Sequence, residues 1–194
     1  MARAKDHWNT VYEARDEEAL TWFEGEPSLS LRLIERYAGP DSRVIDVGGG
    51  ASRLPDALLA RGYGSLAVLD LSAVALDASR ERLGADADRV RWIEADVTRW
   101  SPDGPYALWH DRAAFHFLTD PSERRAYLET MVAALETGGH AILATFADDG
   151  PETCSGLPVL RYSPEALAMD IEALAPAALS HVESQRHMHV TPKG

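Results

Sequence analysis

The first half of the sequence contains a run of three glycines, together with three carboxylates that end apolar segments. Asp46 lies two residues before Gly48. Asp70 lies twenty residues after Gly50, and Asp96 follows a third apolar segment. Glycine permits a positive φ angle and a close approach of the backbone to a ligand. A carboxylate at the end of the next strand accepts hydrogen bonds from ribose hydroxyls in nucleotide-binding folds, and a third acid can accept from an adenine amino group. The pattern predicts an adenosine site, with a ligand-free turn and solvated charges as the alternatives.

The residues around the glycines distinguish between classes of cofactor. A dinucleotide fingerprint has a further glycine where this chain has Arg53, and the Asp46 carboxylate would repel a pyrophosphate. The same carboxylate can hold the amino group of an amino-acid tail. The sequence therefore favours a cationic cofactor without phosphates. A nicotinamide-dependent oxidoreductase and a non-catalytic adenosine-binding protein are the alternatives.

Elements that alternate along the chain must position these residues. Short runs rich in apolar and β-branched residues predict strands, and helical patterns lie between most of them. The predicted strands are 43–47, 65–70, 89–95, 106–111 and 140–146. This alternation predicts an α/β fold of the Rossmann-like, doubly wound kind, with a mostly parallel sheet and helices on both faces. The carboxyl ends of parallel strands meet at one edge, so the acids and glycines are expected to converge there.

Capping residues indicate where the helices begin. Ser72, Asp120 and Ser163 each precede a helical pattern as a predicted N-cap, and the helix after Asp120 is predicted over 121–136. Two further helices are predicted ahead of the first strand, within 5–18 and 27–37. We expect these two helices to form an N-terminal cover over the sheet.

Composition disfavours several classes of function. The 194 residues, 45% of them apolar, suffice for one sizeable core, and the net charge of −12 disfavours binding to nucleic acid. The single cysteine, Cys154, cannot form an internal disulfide, and no metal-ligand spacing is present. We therefore expect no metal and a reducing, cytoplasmic setting. No apolar run approaches the roughly 20 residues that span a bilayer, and the start lacks a signal-peptide core, so no membrane partner is expected.

Three motifs, DVGGG, LDLS and EADV, occur in the order and at the spacing of the class I S-adenosylmethionine-dependent methyltransferases, which the chain resembles over residues 5–189. The segments HWNTVYE, LTWFEG and WHDRAAFHFL are also similar to a branch of lysine methyltransferases that act on an elongation factor and on citrate synthase. The resemblance implies S-adenosylmethionine as the cofactor and methyl transfer by direct displacement. It implies a protein lysine or a small molecule as the acceptor.

The resemblance also implies a role for each residue that matches a family motif. The implied cofactor-binding residues are Trp8, Tyr12, Trp22, Asp46, Gly48, Gly50, Asp70, Leu71, Asp96, Val97 and Arg112. The three aromatic residues would close the pocket, and the glycines would line the methionine moiety. Asp70 and Leu71, at the end of the second strand, would contact the ribose. Asp96 and Val97, at the end of the third strand, would contact the adenine.

The segment after the fourth strand departs from the family pattern. The branch ends this motif with a carboxylate, whereas this chain has His116, five residues after Asp111. Asp111 and His116 are the predicted catalytic residues. A neutral histidine suits a hydroxyl, a thiol or a small acid as general base, and packing between Phe115 and Phe117 is the alternative. Direct displacement needs mainly alignment and the exclusion of water, so a proton-transfer residue is not mandatory.

We predict a single methyltransferase domain over the whole chain. Its predicted parts are the N-terminal cover (1–40), a cofactor-binding core (41–146) and an acceptor-side segment (147–194). In the resembled fold an antiparallel seventh strand follows the sixth. Residues 178–190 can supply the sixth strand, but only TPKG follows. We therefore expect the seventh strand to be missing. Either the chain is truncated, or the edge of its sheet is covered in a different way. C-terminal strands would then pair between two copies as a homodimer, or the tail would fray, with a local hairpin as the alternative.

Overall fold

The fold is built around a five-stranded sheet whose neighbouring strands are all parallel. The computed structural model describes residues 2–15 and 17–191. The strands are β1 (Val44–Val47), β2 (Leu66–Asp70), β3 (Val90–Glu94), β4 (Tyr106–Arg112) and β5 (Leu135–Ala144), in the spatial order β3-β2-β1-β4-β5. The order reverses between β1 and β4, and α/β folds bind their ligands in the cleft at the carboxyl ends of such strands. The predicted Rossmann-like α/β architecture is confirmed.

Helices connect the strands and cover the sheet. They are α1 (Ala2–Glu13), α2 (Ser28–Tyr37), α3 (Leu54–Ala60), α4 (Ala73–Leu83), α5 (Pro121–Ala134) and α6 (Pro164–Leu174), with short 3-10 helices at Glu17–Ala19, Gly84–Arg89 and Phe115–Phe117. The predicted N-caps are confirmed, because Ser72, Asp120 and Ser163 each accept a backbone N–H from the first turn of α4, α5 and α6. In the described residues no helix is long and apolar enough to cross a membrane.

The core has two layers, because successive residues of a strand face opposite sides of the sheet. Val44 and Leu108 pack with α2, α3 and α4 on one face. Ile45, Val47 and Trp109 pack with α5 and α6 on the other face. Helices therefore lie on both faces, as predicted, and β1 and β2 are buried along their whole length. This arrangement holds the carboxyl ends of the central strands in fixed positions.

The boundary between α5 and β5 differs from the prediction. The helix ends at Ala134 instead of 136, and β5 begins at Leu135 and ends at Ala144, whereas the sequence predicts a strand over 140–146. Leu135 pairs with Tyr106 of β4, so the strand ladder begins before the glycines that signal the helix end. Pairing with β4 therefore overrides the local sequence signal.

Two pairs of short strands shape the segment between β5 and α6. They are β6 (Phe146–Ala147) with β9 (Arg161–Tyr162), which are parallel, and β7 (Thr153–Cys154) with β8 (Leu157–Pro158), which are antiparallel. The N–H of Leu160 donates to the carbonyl oxygen of His116 at 2.8 Å. This hydrogen bond attaches the segment to the loop that follows β4.

The predicted sixth strand over 178–190 is wrong. Residues 179–191 form neither a strand nor the alternative local hairpin. Side-chain contacts attach this stretch instead, including Glu183 to Arg36 and His189 to the carbonyl oxygen of Thr21. The run SHVESQRH has no alternating apolar face to bury, so a strand gains little there. Within the described residues the sheet has no sixth or seventh strand, which agrees with the prediction that the seventh is missing.

Candidate active site

The three glycines form a turn at the carboxyl end of β1 that has no room for side chains. Gly48 and Gly50 have φ angles of +67° and +46°, in the left-handed region. A Cβ atom on Gly49 would lie 2.5 Å from Oδ2 of Asp46, and one on Gly50 would lie 2.7 Å from the hydroxyl of Tyr12. The turn therefore needs glycine for its conformation and for its close contacts, and Gly49 is as constrained as its two neighbours.

Asp46 is oriented by a buried hydrogen-bonded chain. Its Oδ1 lies 2.7 Å from Nδ1 of His110, and Nε2 of His110 lies 2.9 Å from the hydroxyl of Ser30. All three side chains are buried. A carboxylate accepts only, so Nδ1 carries the proton and Nε2 accepts from the serine. Oδ2 of Asp46 is buried and has no partner among the described residues. This series of hydrogen bonds leaves Oδ2 of Asp46 available to a cationic group in the cleft.

Asp70 lies on the other side of the glycine turn, at the end of β2. Its Oδ1 accepts the N–H of Ser72 at 2.8 Å. Burial raises the pKa of the Asp70 carboxyl to about 6, although backbone N–H groups that include those of Ser72 and Gly50 oppose the shift. A Cβ on Gly50 would lie 3.1 Å from Oδ2 of Asp70, so this oxygen faces the turn. Burial and the nearby Asp70 also raise the pKa of the Tyr12 hydroxyl.

Three aromatic side chains of the N-terminal cover meet above the turn. The ring centroids of Trp8, Tyr12 and Trp22 lie 6.1–6.4 Å apart in each pairing. Phe117, from the loop after β4, packs edge-on against Trp8 at 5.0 Å. The sequence-predicted aromatic residues are therefore brought together, and Phe117 joins them.

Residues 17–24, which we call the lid, connect α1 to α2 and are fixed by ion pairs. The predicted N-terminal helix within 5–18 ends early, at Glu13, and the lid then crosses toward the glycine turn. Glu17 pairs with Arg53 and with Arg82. Arg82 also donates to the carbonyl oxygen of Ser52 at 2.7 Å, so one guanidinium joins the lid to the backbone of the turn. These pairs explain why the helix does not continue to residue 18.

The far end of the lid is held by Arg112, from the end of β4. Its Nη2 donates to the carbonyl oxygen of Trp22 at 2.8 Å, and its Nη1 lies 3.5 Å from Oε1 of Glu24. The cleft enclosed in this way is lined by Tyr12, Glu17, Leu20, Trp22, Phe23, Glu24, Asp46, Gly48, Gly49, Ala51, Ser52, Arg53, His110 and Arg112. Its lining contains two arginines as well as the unpartnered oxygen of Asp46, so groups of both charges are available to a zwitterionic ligand.

The residues predicted to hold an adenine lie apart from this cleft lining. Asp96 and Val97 follow β3, and Oδ1 of Asp96 accepts from both the N–H and the hydroxyl of Thr98 at 2.9 and 2.7 Å. Leu71 follows Asp70 directly. The adenine and ribose roles of Asp96, Val97 and Leu71 stay predictions.

Asp111 holds together the loop that follows β4. Its carboxylate is fully buried and accepts from the N–H groups of Ala114 and Phe115 at 2.7 and 2.9 Å and from the hydroxyl of Tyr127 at 2.5 Å. Burial raises the pKa of the Asp111 carboxyl to about 6, although these hydrogen bonds lower it. The geometry favours a structural role for Asp111, and its catalytic role stays a prediction.

His116 is buried in the 3-10 turn of the same loop. Its Nδ1 accepts the N–H of Phe146 at 3.3 Å, and its ring packs edge-on against Phe117 and Phe146. Burial lowers the pKa of the imidazole to about 4, so the ring is neutral near pH 7. Because Nδ1 accepts, the proton of the neutral ring lies on Nε2. Nε2 has no hydrogen-bond partner among the described residues. The ring therefore offers an N–H donor.

Comparison with known proteins agrees with this geometry. A sequence model of the family described as "Methyltransferase domain" matches residues 44–139, which contain the glycine turn, Asp70 and the loop after β4. Residues 44–139 belong to the methyltransferase-domain family. The chain is 26% identical over 149 residues to the eEF1A lysine and N-terminal methyltransferase of Bos taurus, covering 73% of this chain. The match spans 21% of that relative, so the chain corresponds to about a fifth of the relative's length.

Solved structures show the same fold as this chain. The DhpI-SAM-HEP complex superposes with a TM-score of 0.66 at 18% identity, over 87% of both chains. The glycopeptide N-methyltransferase MtfA complexed with S-adenosylmethionine gives a TM-score of 0.55 at 24% identity, over 63% of this chain and 55% of that one. At these identities the likeness shows the fold alone.

Several residues of the candidate site were not predicted from the sequence. They are Ser30, Gly49, Arg53, Arg82, Glu17 and Glu24, and the link from His110 to Asp46 was also missed. Gly49 carries a sequence signal, since it stands inside the glycine run. The ion-pairing residues carry none, because each partner is tens of positions away in the chain. In the described residues no group of histidine, cysteine and acidic side chains could hold a metal ion.

Proposed function

We propose that the protein binds S-adenosylmethionine in the cleft between β1, β2 and β4 and transfers its methyl group to a nucleophilic acceptor. The observation that carries this proposal is the pair of buried carboxylates on the two sides of the glycine turn. Oδ2 of Asp46 has no partner, and Oδ2 of Asp70 faces the backbone of Gly50. Such a pair of carboxylates can accept hydrogen bonds from an ammonium group and from two ribose hydroxyls.

Each part of the site has a defined task in this proposal. The cofactor supplies a sulfonium methyl, which is already a good electrophile. Asp46 holds the amino group of the methionine moiety, and Arg112 lies beside the cleft as a cation for its carboxylate. Asp70 with Leu71 holds the ribose, and the pair Asp96–Val97 holds the adenine. Trp8, Tyr12 and Trp22 exclude water from the reacting atoms, which direct displacement requires.

The acceptor is a protein lysine or a small molecule. Both classes occur among similar proteins, since one relative is named as an eEF1A lysine and N-terminal methyltransferase and one structure as a glycopeptide N-methyltransferase. Calorimetry with S-adenosylmethionine, followed by transfer of labelled methyl groups to lysine peptides and small amines, tests the proposal. Binding without transfer would support the alternative of a non-catalytic binding protein. Binding of a nicotinamide dinucleotide instead would support the oxidoreductase.

Cofactor affinity is expected to fall as the pH is lowered through about 6, because the ribose hydroxyls must donate to an ionised Asp70. A protonated carboxyl donates through one of its oxygens and so loses an acceptor for the ribose. The cofactor affinity is therefore highest above this pKa and declines by up to about tenfold per pH unit below it. Asp70→Asn is expected to weaken binding about tenfold at pH 8, since buried ribose hydrogen bonds are lost. Calorimetric titration between pH 5 and 8 measures both effects. A pH dependence retained in Asp70→Asn would contradict this role.

On the acceptor side, we propose that His116 donates a hydrogen bond through Nε2 instead of acting as a general base. The lone pair of Nδ1 is engaged by Phe146 N–H, and the burial that lowers the pKa leaves little basicity. The His116→Phe variant keeps a flat ring but removes the donor. We expect a loss of kcat/KM of about tenfold with unchanged cofactor affinity. His140→Phe, a partly buried histidine that stacks on Tyr37, is the matched control. Equal turnover by both variants would exclude a role for His116.

We also propose a cellular setting and a set of partners for the protein. A reducing, cytoplasmic setting rests on the single Cys154, and the absence of a nucleic-acid partner rests on the net charge of −12. A homodimer formed through C-terminal strands would require residues 179–191, which form no strand in this structure, to become extended on pairing, and light scattering tests whether two copies associate. The division of the chain into cover, core and acceptor-side segment also stays a prediction.

A further inference from the structure

Residues 179–191, which we call the strap, cross the surface in an irregular path from α6 to the lid. The strap is attached at two earlier points. Glu183 accepts from Arg36 at 2.7 and 2.8 Å and from the hydroxyl of Tyr37 at 3.0 Å. Arg186 forms ion pairs with Asp148 and Asp149, which follow β6. The strap is thus tied to α2 and to the loop after β6 before it reaches the lid.

His189 makes the contact between strap and lid. Its Nε2 lies 2.8 Å from the carbonyl oxygen of Thr21, and its Nδ1 lies 3.2 Å from Oε1 of Glu24. A carbonyl oxygen only accepts, so Nε2 carries a proton and donates to it. The exposed fractions of the His189 and Glu24 side chains are 29% and 18%, so the contact is partly shielded from water.

Apolar burial does not explain this contact. The neighbours of His189, Met188 and Val190, are 83% and 71% exposed. The strap therefore reaches the lid without covering an apolar surface, and the two polar contacts of His189 fix it there. The side chain of His189 therefore contributes two of the polar contacts that attach this end of the strap to the lid.

The lid is held from two directions at neighbouring residues. Arg112, inside the cleft, binds the carbonyl oxygen of Trp22 and lies near Glu24. His189, outside the cleft, binds the carbonyl oxygen of Thr21 and the same glutamate. Trp22 and Glu24 line the cleft, so any displacement of this part of the lid opens the cleft wall.

We propose that His189 is a positioning residue that holds the lid closed over the cofactor and thereby slows cofactor release. The proposal rests on the proposed function in one respect, that the cofactor binds in the cleft beneath the lid. His189 touches no reacting group and acts through Thr21 and Glu24. Its loss weakens the attachment at this end of the lid, where Arg112 still binds the carbonyl oxygen of Trp22, so opening becomes more frequent while the binding groups around the glycine turn stay in place.

The test compares three variants of the full chain with the wild type. His189→Ala removes both contacts, and His189→Gln keeps an amide N–H that can donate to the Thr21 carbonyl. His187→Ala is the matched control, because it removes an exposed histidine two residues away on the same strap. Stopped-flow fluorescence of the tryptophans beside the cleft follows the release of S-adenosylhomocysteine. We expect His189→Ala to release it about 5- to 20-fold faster, with a nearly unchanged association rate, because the hydrogen bond from Nε2 of His189 to the Thr21 carbonyl oxygen is partly exposed and of moderate strength.

Hydrogen exchange provides a readout that does not need the cofactor. The amides of residues 20–24 are expected to exchange faster in His189→Ala than in the wild type, while those of α5 keep their protection. His189→Gln should restore part of the slow release, and His187→Ala should match the wild type in both measurements. Unchanged release or unchanged lid exchange in His189→Ala would overturn the inference. If the wild type failed to bind S-adenosylhomocysteine, the proposed function would fail, and lid exchange alone would then decide whether His189 holds the lid.

Discussion

Gly50→Val is expected to weaken S-adenosylmethionine binding by about 100-fold or more, the largest effect on the cofactor that the site predicts. The φ angle of Gly50 is +46°, a conformation that a β-branched residue resists. Its Cβ would also lie 2.7 Å from the hydroxyl of Tyr12 and 3.1 Å from Oδ2 of Asp70. The valine methyl groups would extend from there into the space between these side chains. Isothermal titration calorimetry measures the loss directly.

Gly84→Val separates backbone strain from crowding at the site. Gly84, at the end of α4, has a φ angle of +56°, and a Cβ there would meet nothing within 4 Å. Backbone strain is expected to lower the free energy of unfolding of both variants by about 1–3 kcal/mol, and the close contacts at Gly50 add to the loss in Gly50→Val. Only Gly50→Val should lose the cofactor. Equal affinities in the two variants would show that the cofactor does not lie against the glycine turn.

Asp111→Ala is expected to lower the free energy of unfolding by about 3–5 kcal/mol, the largest effect on stability. The substitution leaves the N–H groups of Ala114 and Phe115 and the hydroxyl of Tyr127 buried without their acceptor. Each buried donor that loses its acceptor costs about 1–3 kcal/mol, and partial relaxation of the loop reduces the sum. Urea unfolding followed by circular dichroism measures this change.

Tyr127→Phe serves as the graded control for Asp111. It removes one of the three donors and also the acceptor of Trp109 Nε1, which lies 2.8 Å from the Tyr127 hydroxyl. We expect a loss of about 1–3 kcal/mol, clearly smaller than for Asp111→Ala. If Asp111→Ala unfolded like the wild type but lost methyl transfer, Asp111 would be catalytic, as the sequence predicts, and its structural role would be minor.

The sequence by itself determined the fold class, the glycine turn, and the acids that end the strands. These features are local, because strand and helix periods and capping residues are read over a few positions. Once the strands are parallel, their carboxyl ends must share one edge, so Asp46 and Asp70 converge without knowledge of any side-chain contact. The same local reasoning failed at β5, which starts at Leu135 because it pairs with Tyr106, and at 178–190, where a strand without a partner did not form.

Only the tertiary structure decided how the site is closed and oriented. Asp46 is aimed by His110 and Ser30, which lie 64 residues and 16 residues from it in the chain. Glu17 meets Arg82, and His189 meets Thr21 across 168 residues. Contacts over such separations depend on how whole elements pack, and charged surface residues give no periodic signal of their partners. The glycines and acids of the cleft were therefore predictable from local sequence patterns. The closure of the lid over them depends on contacts that form only in the folded chain.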